Sequence, residues 1–231
     1  MPNIVLLAIS YRSGSNCLRS ILDQNNDISA KGEIFRPYFK LNNVNRDSLL
    51  GEIDTRLNRF RHREDKNKVF LYTSVVDEIL KLEEYDLIRS ILPDKSIFLY
   101  REDLLEQYCS VKVGSVTGVY QDTEQSKQEK QKIRIEFNLN EYLNFVARMN
   151  RHRDFFVAFY KKYKINYITV EYKSILKRIE EIFKFLGLDY KGELPTTIKS
   201  ESRSLHEIII NFKDVPTNMN HKLVVDDIIP A

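Results

Sequence analysis

Two cysteines in 231 residues are too few for a disulfide framework, and Cys17 and Cys109 show no metal-ligand spacing. Two unpaired thiols fit a reducing compartment, with a single buried disulfide as the other arrangement open to them. Long apolar runs are missing as well. The longest are strand-sized, so no stretch reads as a membrane span. The Met-Pro-Asn start shows neither a basic leader nor a small-residue cleavage site, and a cytoplasmic protein is expected. Charge of one sign is scarce: 36 Lys and Arg stand against 33 Asp and Glu, a net +3. That balance argues against a broad nucleic-acid footprint, yet a few placed cations could still hold an anionic ligand. What remains is 42% hydrophobic and 30% charged, an ordinary globular composition with enough length for one α/β domain and a sizeable core.

The informative stretch is Ile4 to Leu22, IVLLAISYRSGSNCLRSIL. Ile4 to Ile9 is a short branched apolar run, suited to a strand buried on both faces. Tyr11 to Asn16 switches to small and polar residues, and Gly14 opens backbone conformations closed to others. From Ser15 the spacing of Leu18, Ile21 and Leu22 is helical, with Arg19 and Asp23 outward. A strand, a small-residue loop and a helix make a phosphate cradle, because loop N–H groups and the helix N-terminus present positive charge. The Gly-Lys-Ser/Thr of a standard P-loop is absent: one Gly and no Lys are present. Arg12 would supply the cation as a planar fork, and Ser13, Ser15 and Asn16 neutral donors. The alternative is an ordinary strand-to-helix turn with Ser15 as N-cap.

Further strands are expected at Lys68 to Val76, Ser96 to Tyr100 and Ile165 to Val170. Helices are expected at Arg46 to Arg63, Asp77 to Leu92, Asp103 to about Val116, Leu139 to Tyr163, Ile175 to Leu186 and Leu205 to Phe212. The alternation predicts an α/β fold with a central parallel sheet flanked by helices, its ligands beyond the carboxyl ends of the strands. Arg36 to Asn45, with Pro37, Tyr38 and Phe39, suggests a loop over the site. The basic run of Arg46, Arg56, Arg59, Arg61, His62 and Arg63 reads as a solvated face or as guidance for an acidic acceptor. Residues 121–134 are polar and lack a core pattern, so a mobile excursion from one domain spanning 1–231 is expected there. Residues 213–231 form a tail whose apolar Val224, Val225, Ile228 and Ile229 would pack on the body or on a second subunit, as in a homodimer.

Arg12-Ser13-Gly14-Ser15-Asn16, followed by Leu18-Arg19-Ser20-Ile21-Leu22-Asp23 and by Lys31-Gly32-Glu33-Ile34-Phe35, resembles the sulfotransferase family. These enzymes use 3′-phosphoadenosine 5′-phosphosulfate (PAPS). The flavour is that of the bacterial carbohydrate sulfotransferases, and the Arg-Ser-Gly and Gly-Glu spacing is similar to tyrosylprotein sulfotransferases too. The resemblance implies a P-loop-like three-layer domain in which Arg12, Ser13, Gly14, Ser15 and Asn16 hold the phosphosulfate. It implies Glu33 as the base that takes the acceptor proton, with Arg12 stabilising charge at the leaving phosphate, and no metal. Tyr100 to Gly114 is similar to the family's 3′-phosphate motif, giving Arg101 and Ser110 that role; the Ser follows the Arg by nine positions, the longer of two spacings in the family. Lys199 to Asn211 is similar to the segment that closes over the nucleotide, with Lys199 and Arg203 the matching cations and Asn211 structural. Tyr72 and Thr73 stand where related bacterial enzymes often carry a Lys.

The implied reaction moves the sulfuryl group of PAPS to a hydroxyl on a carbohydrate or glycolipid, a small-molecule or glycan acceptor rather than a nucleic acid. His62, His152, His206 and His221 are alternative bases, with His206 nearest a nucleotide motif. Two rivals stand beside this reading. A kinase on the same fold would need a Gly-Lys-Ser/Thr loop and a magnesium-binding carboxylate pair, which are not evident. A non-catalytic protein sensing PAPS or 3′,5′-ADP would keep Arg12, Arg101 and Ser110 but have no use for Glu33.

Overall fold

The structure, a computed structural model, describes residues 3–36, 46–53, 55, 69–118, 132–190, 192, 203–217, 219 and 221–225. Pro37, Tyr38, Phe39, Arg56, Arg59, Arg61, His62, Arg63, Lys199, Ile228, Ile229 and most of 121–134 therefore lie outside the described residues.

In chain order the elements begin with β1 (Ile4–Ile9), α1 (Ser15–Leu22), β2 (Ile28–Glu33), α2 (Arg46–Ile53), β3 (Val69–Val75) and α3 (Val76–Glu84). They continue with β4 (Lys95–Tyr100), α4 (Leu104–Thr117), α5 (Leu139–Tyr163), β5 (Asn166–Glu171), α6 (Ile179–Leu186) and the single turn α7 (Leu205–Ile208). The strands form one sheet in the order β2-β3-β1-β4-β5, every pairing parallel. The expected α/β architecture is the one observed.

Alternation along β1 explains the three layers. Ile4, Leu6 and Ala8 face a core shared with α2, α3 and α5, whereas Val5, Leu7 and Ile9 face α1 and α6. A strand covered on both faces favours apolar residues throughout, as in β1; β3 is equally buried but carries Thr73 and Ser74 near its end, each with a hydrogen-bond partner. A third cluster joins α4 and α5 to Ile135, Phe137, Ile208, Ile209 and Leu223. Leu223 thus seats the 221–225 segment on the body, while Val224 is exposed.

Two differences from the sequence expectations have physical causes. The edge strand β2 was not anticipated, because Lys31 and Gly32 interrupt its short apolar pattern, and its pairing with β3 shifts register between Ala30 and Glu33. The helix expected over Asp77 to Leu92 stops at Glu84: Asp86 turns left-handed (φ 54), and the chain resumes as a separate 3-10 turn over Ile88–Ile91. Among the described residues no helix is long and apolar enough to cross a membrane.

Candidate active site

β1 lies between β3 and β4, and the chain leaves β1 toward β2 on one side but leaves β4 toward β5 on the other. Such a reversal opens a crevice beyond the carboxyl ends of the strands. The loop after β1 occupies one lip. Arg12 (φ 62) and Gly14 (φ 97) both adopt left-handed backbone, curling the loop into a tight turn that delivers Gly14, not Ser15, as the N-cap of α1. Ser13 is buried, and its hydroxyl has no hydrogen-bond partner. Gln107 of α4, fully buried, ties the loop down by donating from its amide to Ser10 Oγ (3.0 Å) and to the Tyr11 carbonyl (2.7 Å). Asn16 is exposed and accepts from Arg19 at 3.1 Å.

The opposite lip carries Arg101 and Ser110. Arg12 Nε donates to Ser110 Oγ at 3.1 Å, joining the lips across 98 residues of sequence. Arg101 lies over the ring of Tyr172, 4.2 Å from its centroid, and Tyr172 follows directly on β5. Burial lowers the pKa of the Arg101 guanidinium, and the charge of Arg12 lowers it further. A guanidinium stays protonated under such pressure, so two cations are held near one another and a shared anion would relieve their repulsion. Arg101 Nε is buried without a partner. Glu102 and Asp103 are occupied elsewhere: Glu102 pairs with Lys222 at 2.6 Å, and Asp103 caps α4 by accepting from the Glu106 N–H. Neither is the contact that holds Arg101.

Under the loop the fit is tight. A Cβ at Gly14 would come within 2.1 Å of Tyr172 Cδ2. Two unpartnered buried donors, two neighbouring arginines and a glycine seated on an aromatic ring make a cradle whose donor set suits the phosphates and sulfonate of a nucleotide.

No protein-family model matches the chain, and no curated protein matches it. Among solved structures, it is similar to the sulfotransferase domain from the Synechococcus PCC 7002 olefin synthase, with 15% identity, a TM-score of 0.48, and coverage of 82% of this chain and 75% of that one. It is also similar to the sulfotransferase domain from the curacin biosynthetic pathway, with 12% identity, a TM-score of 0.52, and coverage of 90% and 82%. The fold is that of a sulfotransferase domain.

On this sulfotransferase fold a second group of polar residues gathers beyond the ends of β2 and β3. Glu33 closes β2 beside Thr73, and its carboxylate pairs with Arg36. Tyr72 and Thr73 contribute no charge: Tyr72 donates to the Ile91 carbonyl (2.8 Å) and Thr73 to the Lys31 carbonyl (3.1 Å). Glu78, in the first turn of α3, is buried and accepts from Ser74 Oγ at 2.8 Å, while its Oε1 has no partner. Burial, with the charge of Glu33 adding to it, pushes the Glu78 carboxyl up to about 7. Tyr11 donates to Asp77 at 3.1 Å, and burial, then Asp77, raises that phenol to about 12. His152 Nε2 lies 3.8 Å from Asp77; its Nδ1 is buried without a partner, and burial lowers its pKa.

The remaining candidates lie in other surroundings. Arg203 donates to the Ile133 carbonyl at 2.6 Å. His206 is exposed and packs at a tilt against Phe212, and His221 packs on Tyr142. Asn211 clasps the backbone of Phe137 from both sides, accepting at 2.7 Å and donating at 3.0 Å, a structural role. Both cysteines are free, and burial raises Cys17 to about 11 and Cys109 to about 12.

Tyr172, Gln107 and Glu78 escaped sequence reasoning. Tyr172 reads as one more strand-end aromatic, Gln107 as a helix interior polar residue, and Glu78 as a solvated first-turn carboxylate. Only the position of Tyr172, just past an apolar strand as Arg101 is, offered a signal.

Burial of Glu78 has a consequence for stability. Its folded-state pKa is raised from 4.5 to about 7, so the folded protein binds a proton there that the unfolded chain has lost. Stability therefore falls as pH rises from about 4.5 to about 7, by on the order of 3 kcal/mol from this group. Glu78→Gln removes that loss. Urea melts are expected to show the variant gaining on wild type between pH 5 and pH 8, and a constant difference would contradict the assignment.

Proposed function

We propose that the protein transfers the sulfuryl group of PAPS to a hydroxyl group, with a carbohydrate or glycolipid as acceptor. The observation that carries this reading is the meeting of Arg12, Arg101 and Ser110 across the crevice of a sulfotransferase fold, where buried Ser13 Oγ and Arg101 Nε have no partner. PAPS, when bound, supplies an activated sulfonate on a phosphate leaving group. Arg12 and Ser13, with Ser15 and Asn16 at the start of α1, hold the phosphosulfate end, and Arg12 stabilises the charge left on the phosphate. Arg101 and Ser110 hold the 3′-phosphate; the resemblance adds Lys199 and Arg203, a role in which Arg203 would have to leave the Ile133 carbonyl to which it now donates. Glu33, held by Arg36, takes the proton of the acceptor hydroxyl as the oxygen attacks. Most of the rate comes from positioning and fixed charge, as in phosphoryl transfer.

Recognition of the 3′-phosphate separates this reading from that of other adenine nucleotide enzymes. Calorimetry is expected to show 3′,5′-ADP bound much more tightly than 5′-AMP, and Arg101→Ala to cost about 2 kcal/mol or more of that difference. Equal affinities for the two nucleotides would remove the assignment. Radiolabelled PAPS offered with a panel of sugars and glycolipids then identifies the acceptor, and binding without turnover across the panel would favour a sensor.

A further inference from the structure

Arg148 of α5 is held in place without an ionic partner. Its guanidinium carbon lies 5.6 Å from the ring centroid of Phe145, one turn back on the helix, and 6.0 Å from that of Tyr11 in the loop after β1. Ring faces attract a cation but leave its in-plane N–H groups without an acceptor. Arg148 Nε is buried and unpartnered, and among the described residues nothing accepts a hydrogen bond or completes an ion pair with this side chain. An arginine that merely lays its stem on apolar surface keeps its head in water. A buried donor with no partner is costly, and it calls for an acceptor from outside the chain.

The position of Arg148 says which molecule that is. Tyr11 immediately precedes Arg12, so Arg148 stands beside the loop assigned to the phosphosulfate. The later turns of α5, through Phe156, Phe159 and Tyr160, share a core with Ile34 and Phe35, the residues directly after Glu33, whereas α1 packs in the other core. The flank of α5 is therefore the flank of Glu33, where the acceptor must stand. Asp77, the carboxylate on this flank, is already engaged: it accepts from the Tyr11 hydroxyl at 3.1 Å and lies 3.8 Å from His152 Nε2. His152, one turn along from Arg148, feels Arg148 and Arg151 against Asp77. The flank is short of negative charge.

We propose that Arg148 is a specificity-determining residue that takes an anionic substituent of the acceptor, a carboxylate or a phosphate, so that the preferred acceptor is an acidic sugar rather than a neutral one. A guanidinium suits either group, because its planar fork matches a pair of oxygens. Phe145 and Tyr11 fix the fork before the acceptor arrives, so little side-chain freedom is lost on binding. The contact lies away from the hydroxyl that is sulfated and serves to choose and orient the acceptor. The inference rests on the sulfotransferase reading and adds to it the charge of the acceptor.

The test uses the full chain saturated with 3′,5′-ADP, which fills the nucleotide crevice and leaves Arg148 to a further anion. The Arg148 Nε–H is followed by nitrogen-15 NMR and assigned by its absence in Arg148→Lys. Glucuronate and glucose 6-phosphate are the anionic probes, at matched ionic strength, and glucose is the neutral control. The resonance is expected to shift with an anion and not with glucose. A response to glucuronate alone assigns a carboxylate, and one to glucose 6-phosphate alone a phosphate. No shift with either anion, or an equal shift with glucose, overturns the proposal, whether or not any of the three is turned over. With radiolabelled PAPS, an anion that shifts Arg148 should be sulfated with kcat/KM about 10-fold or more above glucose. Arg148→Met should remove that advantage by raising KM, with 3′,5′-ADP affinity equal to wild type, and Arg148→Lys should recover part of it. Loss of 3′,5′-ADP affinity in Arg148→Met would move Arg148 to the nucleotide site and end the proposal. If wild type prefers 3′,5′-ADP to 5′-AMP but Arg148 ignores both anions, this inference alone falls. If that nucleotide preference is missing, the sulfotransferase reading falls and takes this inference with it.

Discussion

Glu33→Gln is expected to lower turnover by about 10²–10⁴-fold while leaving 3′,5′-ADP affinity within a few-fold of wild type. The substitution keeps the size of the side chain and leaves Arg36 an amide oxygen to bond, so the end of β2 should hold its shape. A base matters only as the acceptor proton leaves, whereas the nucleotide contacts proposed above lie in the crevice between β1 and β4. The two readouts therefore separate chemistry from binding. A variant that turns over normally would move the base elsewhere. His152 is then the next residue to change, since His206 is exposed and packed at a tilt against Phe212, whereas His152 is buried beside Asp77. Joint loss of nucleotide binding and turnover would assign Glu33 a structural part through Arg36.

Gly14→Ala is expected to reduce 3′,5′-ADP affinity on the order of 100-fold or more. Part of that is backbone strain, since φ is 97 there and a non-glycine residue costs about 1–3 kcal/mol in such a conformation. The larger part is the ring below. The new methyl would meet Tyr172 Cδ2 and Cε2 at 2.1 and 2.4 Å, and the ring cannot yield without disturbing the Arg101 guanidinium laid over it. Gly118→Ala is the control: φ is 66, but a Cβ there meets nothing within 4 Å. It should cost backbone strain and spare nucleotide binding. Adding Tyr172→Ala to Gly14→Ala should restore part of the fold's stability but little affinity, because Arg101 loses its support. Wild-type affinity in Gly14→Ala would mean that the loop does not carry the nucleotide.

What sequence could reveal follows from the range of the interactions. The cradle loop, the strand before it and the helix after it are local, and their apolar and small-residue pattern shows in Ile4 to Leu22. β2 was hidden because an edge strand tolerates Lys31 and Gly32, so its apolar signal is broken. Asp86 ended α3 early through a left-handed turn that no glycine or proline announces. Gln107 and Tyr172 belong to the site through contacts with the first loop from nearly 100 and more than 150 positions away, which no spacing along the chain encodes. Glu78 is hardest of all. VDEILKLEE places it like any first-turn carboxylate, and its burial against Ser74 at the end of β3 shows only in the folded structure.

The 221–225 segment has a further consequence, in the order in which the molecule can be built. Leu223 donates to the Glu102 carbonyl at 3.0 Å, the Leu104 N–H bonds to the His221 carbonyl at 3.4 Å, and Lys222 bridges with Asp103. These contacts clasp the residues directly after Arg101. During synthesis the sheet can assemble once β5 has emerged, but the turn that follows Arg101 waits for residues 221–223, some 50 positions later. A nascent chain stalled before residue 221 should therefore carry a formed sheet and a first loop, with Arg101 not yet locked in place.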